Sequence, residues 1–264
     1  MKAKLELTSM IDRISVVMIV KNGGATIRAT LDSLLGFKEV VLYDSGSTDD
    51  TLSIAAGYAN VVVHEGVFHG FGKTKQAAVE LASNDWVLSL DADESVSSDL
   101  VHYLSSWDVQ QNPSTVGELA RHNYLMGERV KYGGWGNDRL IRLFNRTQYN
   151  FNDNDVHESV DIGQSSVVIK IPHPIHHNAV QRISQFLEKV NLYTEIRRET
   201  STKTYLPVII FSKAAWRFFE SYILRVGFLS GWRGLVVAWS KANEVFFKYI
   251  KIYADQETKT KRSP

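Results

Sequence analysis

Residues 86–94 read Trp-Val-Leu-Ser-Leu-Asp-Ala-Asp-Glu, and their reading decides the fold. Trp86–Leu90 is a short apolar run of the kind that forms a strand buried in a sheet. It stops at two carboxylates, Asp91 and Asp93, with Glu94 beside them. The same pattern occurs upstream. Ile14–Val20 (ISVVMIV) is a continuous apolar run that ends at Lys21-Asn22-Gly23-Gly24. Glu39–Tyr43 predicts a second strand, ending in the polar turn Asp44–Asp50 (DSGSTDD), and Val61–Val63 predicts a third. Between the strands, Ile27, Leu31, Leu34 and Leu35 share one helical face. A short helix is expected from Thr51, capped by Thr48 or Asp49, and a longer one over Phe71–Ala82. Repeated strand–helix–strand units imply an α/β fold: a mainly parallel, Rossmann-like sheet sandwiched by helices. Ligands of such sheets bind beyond the carboxyl ends of the strands, so the turns at Asp44 and at Asp91–Glu94 are expected to form one site.

Further along, Leu100, Tyr103, Leu104 and Trp107 share a helix face, with Ser97 as its N-cap. Residues 113–174 are less regular, with strand-like runs at Leu140–Phe144 and Val167–Ile171. Ile183, Phe186, Leu187, Val190 and Tyr193 mark another helix. A tail follows Thr200-Ser201-Thr202, with helices expected over Ile209–Val226 and Leu235–Tyr253. The expected division is a catalytic domain at 1–200 and a helical C-terminal appendage at 201–264.

Composition narrows the function classes. The 264 residues include no cysteine, which excludes a disulfide scaffold, thiolate metal sites and a cysteine nucleophile. No apolar run is long enough to predict a transmembrane helix, and the first ten residues do not read as a secretory signal, so a cytoplasmic location is expected. The formal charge of +1 hides a polarity. Residues 203–264 hold 11 Lys/Arg against 4 Asp/Glu and 13 of the 29 aromatic residues, whereas the rest of the chain is net acidic. A basic, aromatic helical tail suits an anionic membrane surface. With no recognised nucleic-acid motif and an acidic body, nucleic acid is not an expected partner.

Two carboxylates one residue apart repel each other unless a cation offsets the cost. Mg2+ or Mn2+ takes hard oxygen ligands, often one or two carboxylates together with substrate phosphates. The alternative for Asp91 and Asp93 is a cluster complementing the dipole of the helix after Ser97. At the end of its strand Asp44 can accept a hydrogen bond from a ligand's N–H or hydroxyl, the alternative being that the Ser/Thr/Asp run around it simply caps the helix at Thr51.

Taken in order and spacing, ISVVMIVKN, VVLYDSGSTDDT and WVLSLDADE resemble family 2 glycosyltransferases of the GT-A fold. Several further segments are similar to the lipopolysaccharide inner-core β-1,4-glucosyltransferases, which add glucose to a heptose. They are Tyr132–Trp135 (YGGW), Arg139–Arg146 (RLIRLFNR), Val156–Val160 (VHESV), EKVNLYTE, YILRVGFLSGWRG and FFKYIK. The resemblance spans Ile14 to about Tyr253 and departs at Gly23-Gly24, where relatives usually carry two Glu, at Asn145-Arg146, where they usually show Arg-Arg, and at Ser230, where they often carry an acid.

The resemblance implies that Asp44 holds the base of a UDP-sugar, Asp91 approaches the ribose, and Asp93 holds Mg2+ or Mn2+ on the diphosphate. Val20, Lys21, Asn22 and Ala92 would line the nucleotide, and Lys75 would reach a phosphate. It also favours Glu158 as the base that deprotonates the acceptor in an inverting transfer, with Asp155 and Asp153 as alternates and His157 beside the acceptor or the diphosphate. Arg142, with Arg139, would grip a phosphate of donor or acceptor, or else both are solvated arginines of an amphipathic strand. The expected reaction is hexose transfer to a lipid-linked saccharide by an enzyme peripheral on the inner face of the inner membrane. A same-fold enzyme acting on a capsular, teichoic or protein glycan, or a non-catalytic nucleotide-sugar-binding scaffold, remains the alternative.

Overall fold

The structure is a computed structural model that describes residues 10–107, 112–154, 158–200 and 203–262. The chain divides into two compact units, one of residues 1–121 with 139–177 and the other of 122–138 with 178–264. The helix expected around Ile183–Tyr193 lies in the second unit together with the C-terminal helices.

In the first unit, β1 (Ile14–Val20), α1 (Ile27–Asp32), β2 (Glu39–Asp44), α2 (Thr51–Ala55), β3 (Val61–Glu65), α3 (Phe71–Glu80) and β4 (Trp86–Ser89) follow the expected alternation. β1 pairs in parallel with β2 and β4, and β2 in parallel with β3. After β4 come β5 (Glu94–Val96), α4 (Ser98–Ser105) and β6 (Thr115–Leu125), then β7 (Glu128–Arg129), β8 (Arg139–Asn145) and β9 (Val167–Val180). These later strands turn the sheet mixed, for β8 is antiparallel to β4 and β6, and β5 is antiparallel to β9. The strand order is β3-β2-β1-β4-β8-β6-β9-β5, with β7 paired to β6. The α/β expectation holds, and its parallel part is the first four strands.

Strand alternation sends side chains to two cores. Val16, Met18 and Val20 join Ile27, Leu31, Leu42, Leu88, Leu100 and Leu104 on one face. Val17, Val41 and Val87 meet Val79, Phe144 and Phe151 on the other. At roughly 1.5–3 kcal/mol per fully buried aliphatic or aromatic side chain, these two layers supply the unit's main stabilisation. They fix the strands whose carboxyl ends carry Asp44 and Asp91. Ser97 caps α4 as expected, its hydroxyl accepting from Leu100 N at 3.2 Å.

The second unit contains α5 (Ser184–Thr200), α6 (Pro207–Phe219), a π-helical turn (Glu220–Leu224) and α7 (Gly231–Arg262). Leu125, Val130, Val180, Phe186 and Val237 form its core, with Trp135 stacked on Phe186 at 5.5 Å. The YGGW and GFLSG segments meet here. A Cβ on Gly133, which has φ 82°, would stand 3.2 Å from Gly227 Cα, and one on Gly227 would lie 2.6 Å from Ser221 O. Gly227 has no room for a side chain, and at Gly133 the tight contact adds to a left-handed φ that favours glycine. Ser230 accepts the Tyr132 N–H at 3.1 Å, which ties the two segments together.

Candidate functional site

The β1–α1 loop lies between the two acidic turns. Asn22 has φ 55°, a left-handed conformation that Asn tolerates better than most residues. Its N–H donates to Ser47 Oγ at 2.8 Å, and its Oδ1 accepts from Thr48 N at 2.8 Å. Gly23 N donates to Thr51 Oγ1 and Gly24 N to Asp49 Oδ2, at 2.8 and 2.9 Å. Val20 O accepts from Ser45 N and Ser45 Oγ at 2.9 and 3.0 Å, and Lys21 is exposed. A Cβ on Gly24 would fall 1.8 Å from Asp50 Oδ1, and one on Gly23 2.7 Å from Val20 Cγ2 and 3.8 Å from Ala92 Cβ. At Gly23 the loop packs closely on Val20 and comes near Ala92 of the second turn.

Asp44 ends β2 in a buried position. Its carboxylate accepts from Gly46 N at 3.0 Å, Ser47 N at 2.9 Å and the Ser47 hydroxyl. Asp44 thus closes its own turn, and the Ser47 hydroxyl ties that turn to Asn22. Of the two expected caps for α2, Asp49 bonds Thr51 through both the backbone N–H and the hydroxyl, which lowers its pKa. The helix N-cap position itself is Asp50.

Asp91 sits in a different environment. Lys75 Nζ is 2.6 Å from Asp91 Oδ1 and 2.7 Å from Glu158 Oε1. Arg142 Nη2 is 2.8 Å from both Asp91 Oδ2 and Glu94 Oε1. Arg121 Nη1 adds contacts at 3.2 Å to Glu94 and 3.6 Å to Asp91. Glu94, which is completely buried, also accepts the Asp91 N–H at 3.0 Å. Three cations thus balance three carboxylates. Burial alone would raise the Asp91 pKa, but Arg142, Lys75 and Arg121 outweigh it and hold the group well below the usual carboxylate range. Burial likewise opposes the charge on Arg142, and the neighbouring Asp91 and Glu94 overcome it and raise its pKa.

Arg142 reaches this cluster through an irregularity of the sheet. The β6–β8 register pairs Gly117 with Leu143 and then Glu118 with Ile141, leaving Arg142 as the extra residue of a bulge. Bulges re-aim side chains next to functional sites. Arg139, on the same strand, instead pairs with Glu118 at 2.7 Å. Lys75 emerges from α3, is buried, and has its ammonium 5.3 Å from the centre of the Phe151 ring. Asp153 accepts from Gln76 Nε2 at 2.7 Å, whereas Asp155 and His157 lie outside the described residues. Ala92 O accepts the Thr30 hydroxyl at 3.0 Å.

Asp93 faces His177, with Oδ1 3.4 Å from Nε2. The β5–β9 register explains this, because it places His177 opposite Glu94. A carboxylate oxygen and an imidazole nitrogen at that separation can reach one divalent cation. Among the described residues no group of three or more His, Cys, Asp or Glu side chains forms a complete cation cage. The donor set therefore fits a cation that takes its remaining ligands from phosphate and water. Glu94, Arg121 and His177 were given no role by sequence reasoning, although the histidine-rich run His173–His177 was a visible signal for the last.

The chain is similar to an uncharacterized glycosyltransferase from Rickettsia felis, 26% identical over 258 residues, covering 91% of this chain and 89% of that protein. It is equally similar to the lipopolysaccharide core biosynthesis glycosyltransferase LpsC of Rhizobium meliloti, 26% identical over 255 residues, with 91% and 92% covered. Among solved structures, S. aureus TarS 1–349 in complex with UDP overlaps 93% of this chain and 92% of its own, with TM-score 0.45 and 14% identity. The Glycosyl transferase family 2 model matches residues 15–182, which include all but the first residue of β1, both acidic turns and His177. With that match over most of the chain, and both acidic turns at the carboxyl ends of parallel strands, the protein belongs to glycosyl transferase family 2.

Proposed function

We propose that the protein is an inverting glycosyltransferase that moves a hexose, glucose, from a UDP-sugar to a heptose of the lipopolysaccharide inner core, a lipid-linked acceptor, at the inner face of the inner membrane. The observation that carries the reading is the division of labour within one turn: Asp91 is engaged by Lys75 and Arg142, while Asp93 faces His177. The similarity to LpsC, a lipopolysaccharide core biosynthesis glycosyltransferase, supports the acceptor class. The resemblance of the YGGW, VHESV and tail segments supports glucose and heptose.

In this reading Asp44 and the Asn22 loop form a preshaped seat for the nucleoside, and Asp91 lies beside the ribose. Asp93 and His177 would hold Mg2+ or Mn2+, which when bound stabilises charge on the departing diphosphate. Glu158 takes the proton from the acceptor hydroxyl as that oxygen attacks the anomeric carbon. Lys75 is its positioning residue, with a positive charge 2.7 Å from the carboxylate. The transfer exchanges one C–O bond for another. The acceptor oxygen bonds C1, the bond from C1 to the diphosphate oxygen breaks with its electron pair leaving on UDP, and the proton goes to Glu158.

A panel of nucleotide sugars tests this, scored by UDP release with and without Mn2+ and with a heptose-terminated core saccharide. Stimulation by UDP-glucose, Mn2+ and that acceptor together is expected. Asp93→Asn should lower turnover at least about 10³-fold and abolish the response to metal, several kcal/mol of charge stabilisation being lost. Glu158→Gln should lower turnover about 10²–10⁴-fold and leave UDP-glucose binding intact. Wild-type turnover in either variant would remove its assigned role.

A further inference from the structure

The second unit presents apolar side chains to solvent where a soluble helical packing would bury them. On α6, Ile210 and Ala214 are buried, but Val208, Phe211 and Phe219 are exposed, as is Ile223 in the π-helical turn that follows. Steps of three and four residues put these on one stripe, opposite the buried pair. Trp216 beside them is 60% exposed. The stripe continues past the turn. Phe228, Leu229, Trp232 and Trp239 are exposed, and Trp239 meets Phe218 edge-on at 5.9 Å, which joins the α7 residues to α6. So much contiguous exposed apolar surface marks a site of contact.

The charges around it choose the occupant. Residues 203–264 carry net +7; Arg233 and Lys248 are interleaved with the aromatics, and Arg217 and Arg225 share the single carboxylate of Glu220, which leaves that trio net positive. Arg233 stacks over Trp232 at 4.6 Å, and Lys248 over Tyr249 at 4.7 Å. A second copy of the chain would bring the same positive charge against this surface. An anionic bilayer offers opposite charge and an apolar interior together, and aromatic rings favour its boundary. No helix among the described residues is long and apolar enough to cross a membrane, so contact is along the interface.

We infer that the α6–α7 hairpin is an interfacial membrane anchor. Phe211, Trp216, Phe219, Phe228 and Trp232 enter the headgroup–acyl boundary, and the flanking Arg and Lys bind anionic lipid headgroups. The inference deepens the proposed lipid-linked acceptor by naming the surface that meets the lipid, and it stands on geometry separate from the donor site.

The test uses the full chain and vesicles of phosphatidylcholine, with or without about a third phosphatidylglycerol. Flotation with the anionic vesicles is expected, together with quenching of tryptophan fluorescence by brominated acyl chains. The triple variant Phe211→Ser, Trp216→Ser, Trp232→Ser should lower the bound fraction at least about tenfold. Its circular dichroism and its UDP release from UDP-glucose should stay unchanged. Raising salt from about 0.1 M to about 1 M should weaken binding of the wild type. A chain that floats with neither vesicle, or equally with both, overturns the inference. So does a triple variant that is folded and still bound, or one whose change is loss of self-association. Flotation without hydrolysis of any nucleotide sugar would reject the donor reading and leave the anchor standing; hydrolysis without flotation would do the reverse.

Discussion

Asp44 and Asp91 each stand at the carboxyl end of a strand in the same parallel array, yet their carboxylates are satisfied by opposite kinds of partner. Asp44 accepts from two backbone N–H groups and a serine hydroxyl. Asp91 is held by Lys75 and Arg142, with Arg121 nearby. Neutral dipoles give the first turn a fixed shape that responds little to charge. The second turn is a balanced set of ions in a largely buried setting, where loss of one member leaves the others with less compensation. A ligand bringing its own charge would therefore disturb the second turn far more than the first.

The sharpest way to break this contrast is to remove one cation. Arg142→Met leaves fully buried Glu94 with Arg121 at 3.2 Å and its own hydrogen bond from Asp91 N. Removing one partner of a buried ion pair typically costs about 3–5 kcal/mol. Urea unfolding should show a loss on that scale. Adding Glu94→Leu to Arg142→Met should recover part of it, since the buried carboxylate left with less compensation is then gone. If the single variant costs under about 1 kcal/mol, the cluster is solvated and the contrast is false.

Acid sharpens the same difference at lower amplitude. At neutral pH, Asp91→Asn should cost about 2 kcal/mol, the worth of charge-assisted hydrogen bonds to Lys75 and Arg142. The folded-state pKa of Asp91 lies below its ordinary value of 3.8, so the unfolded chain takes up the proton first. The contribution is complete above that ordinary value and is lost as pH falls through the lowered one. The stability gap between wild type and Asp91→Asn should therefore be flat from neutral pH to about 5 and close below 4. A gap that persists at the acid end would mean Asp91 acts through packing and not through charge.

What could be read from the sequence follows the range of the interactions. β1 to β4 are consecutive, with apolar runs and turn residues that local periodicity reveals, and both acidic turns were placed correctly at strand ends. β5 has three residues and pairs with β9 more than seventy positions away, so no local pattern announces it. β6 and the full length of β9 depend on such distant pairing too, and the mixed half of the sheet was missed for this reason. Lys75 was visible as a lysine of the helix before the acidic turn. Its double contact with Asp91 and Glu158 was not, since Glu158 lies 83 positions later in the chain. Arg142 was singled out among three arginines, but the bulge that separates its role from that of Arg139 belongs to the pairing of two strands. Gly23-Gly24 read as a departure from relatives, and the hydrogen bonds that hold this loop to Ser47, Asp49 and Thr51 span 25 to 28 positions, beyond local reading.

The smallest effect tests the neutral turn. Ser47→Ala removes the hydroxyl that donates to Asp44 and accepts from Asn22 N. One hydrogen bond to the Asp44 carboxylate and one neutral one from Asn22 N are lost, but Asp44 keeps the N–H groups of Gly46 and Ser47, and the exposed Asn22 can turn to water. The expected cost is about 1 kcal/mol. It should not change between about 0.1 M and 1 M salt, because no charge is removed, and UDP should bind a few-fold more weakly as the loop loses its tie. Differential scanning calorimetry at two salt concentrations, with titration of UDP, measures both. A cost as large as that of Arg142→Met, or one that salt abolishes, would show that the first turn is also held by charge.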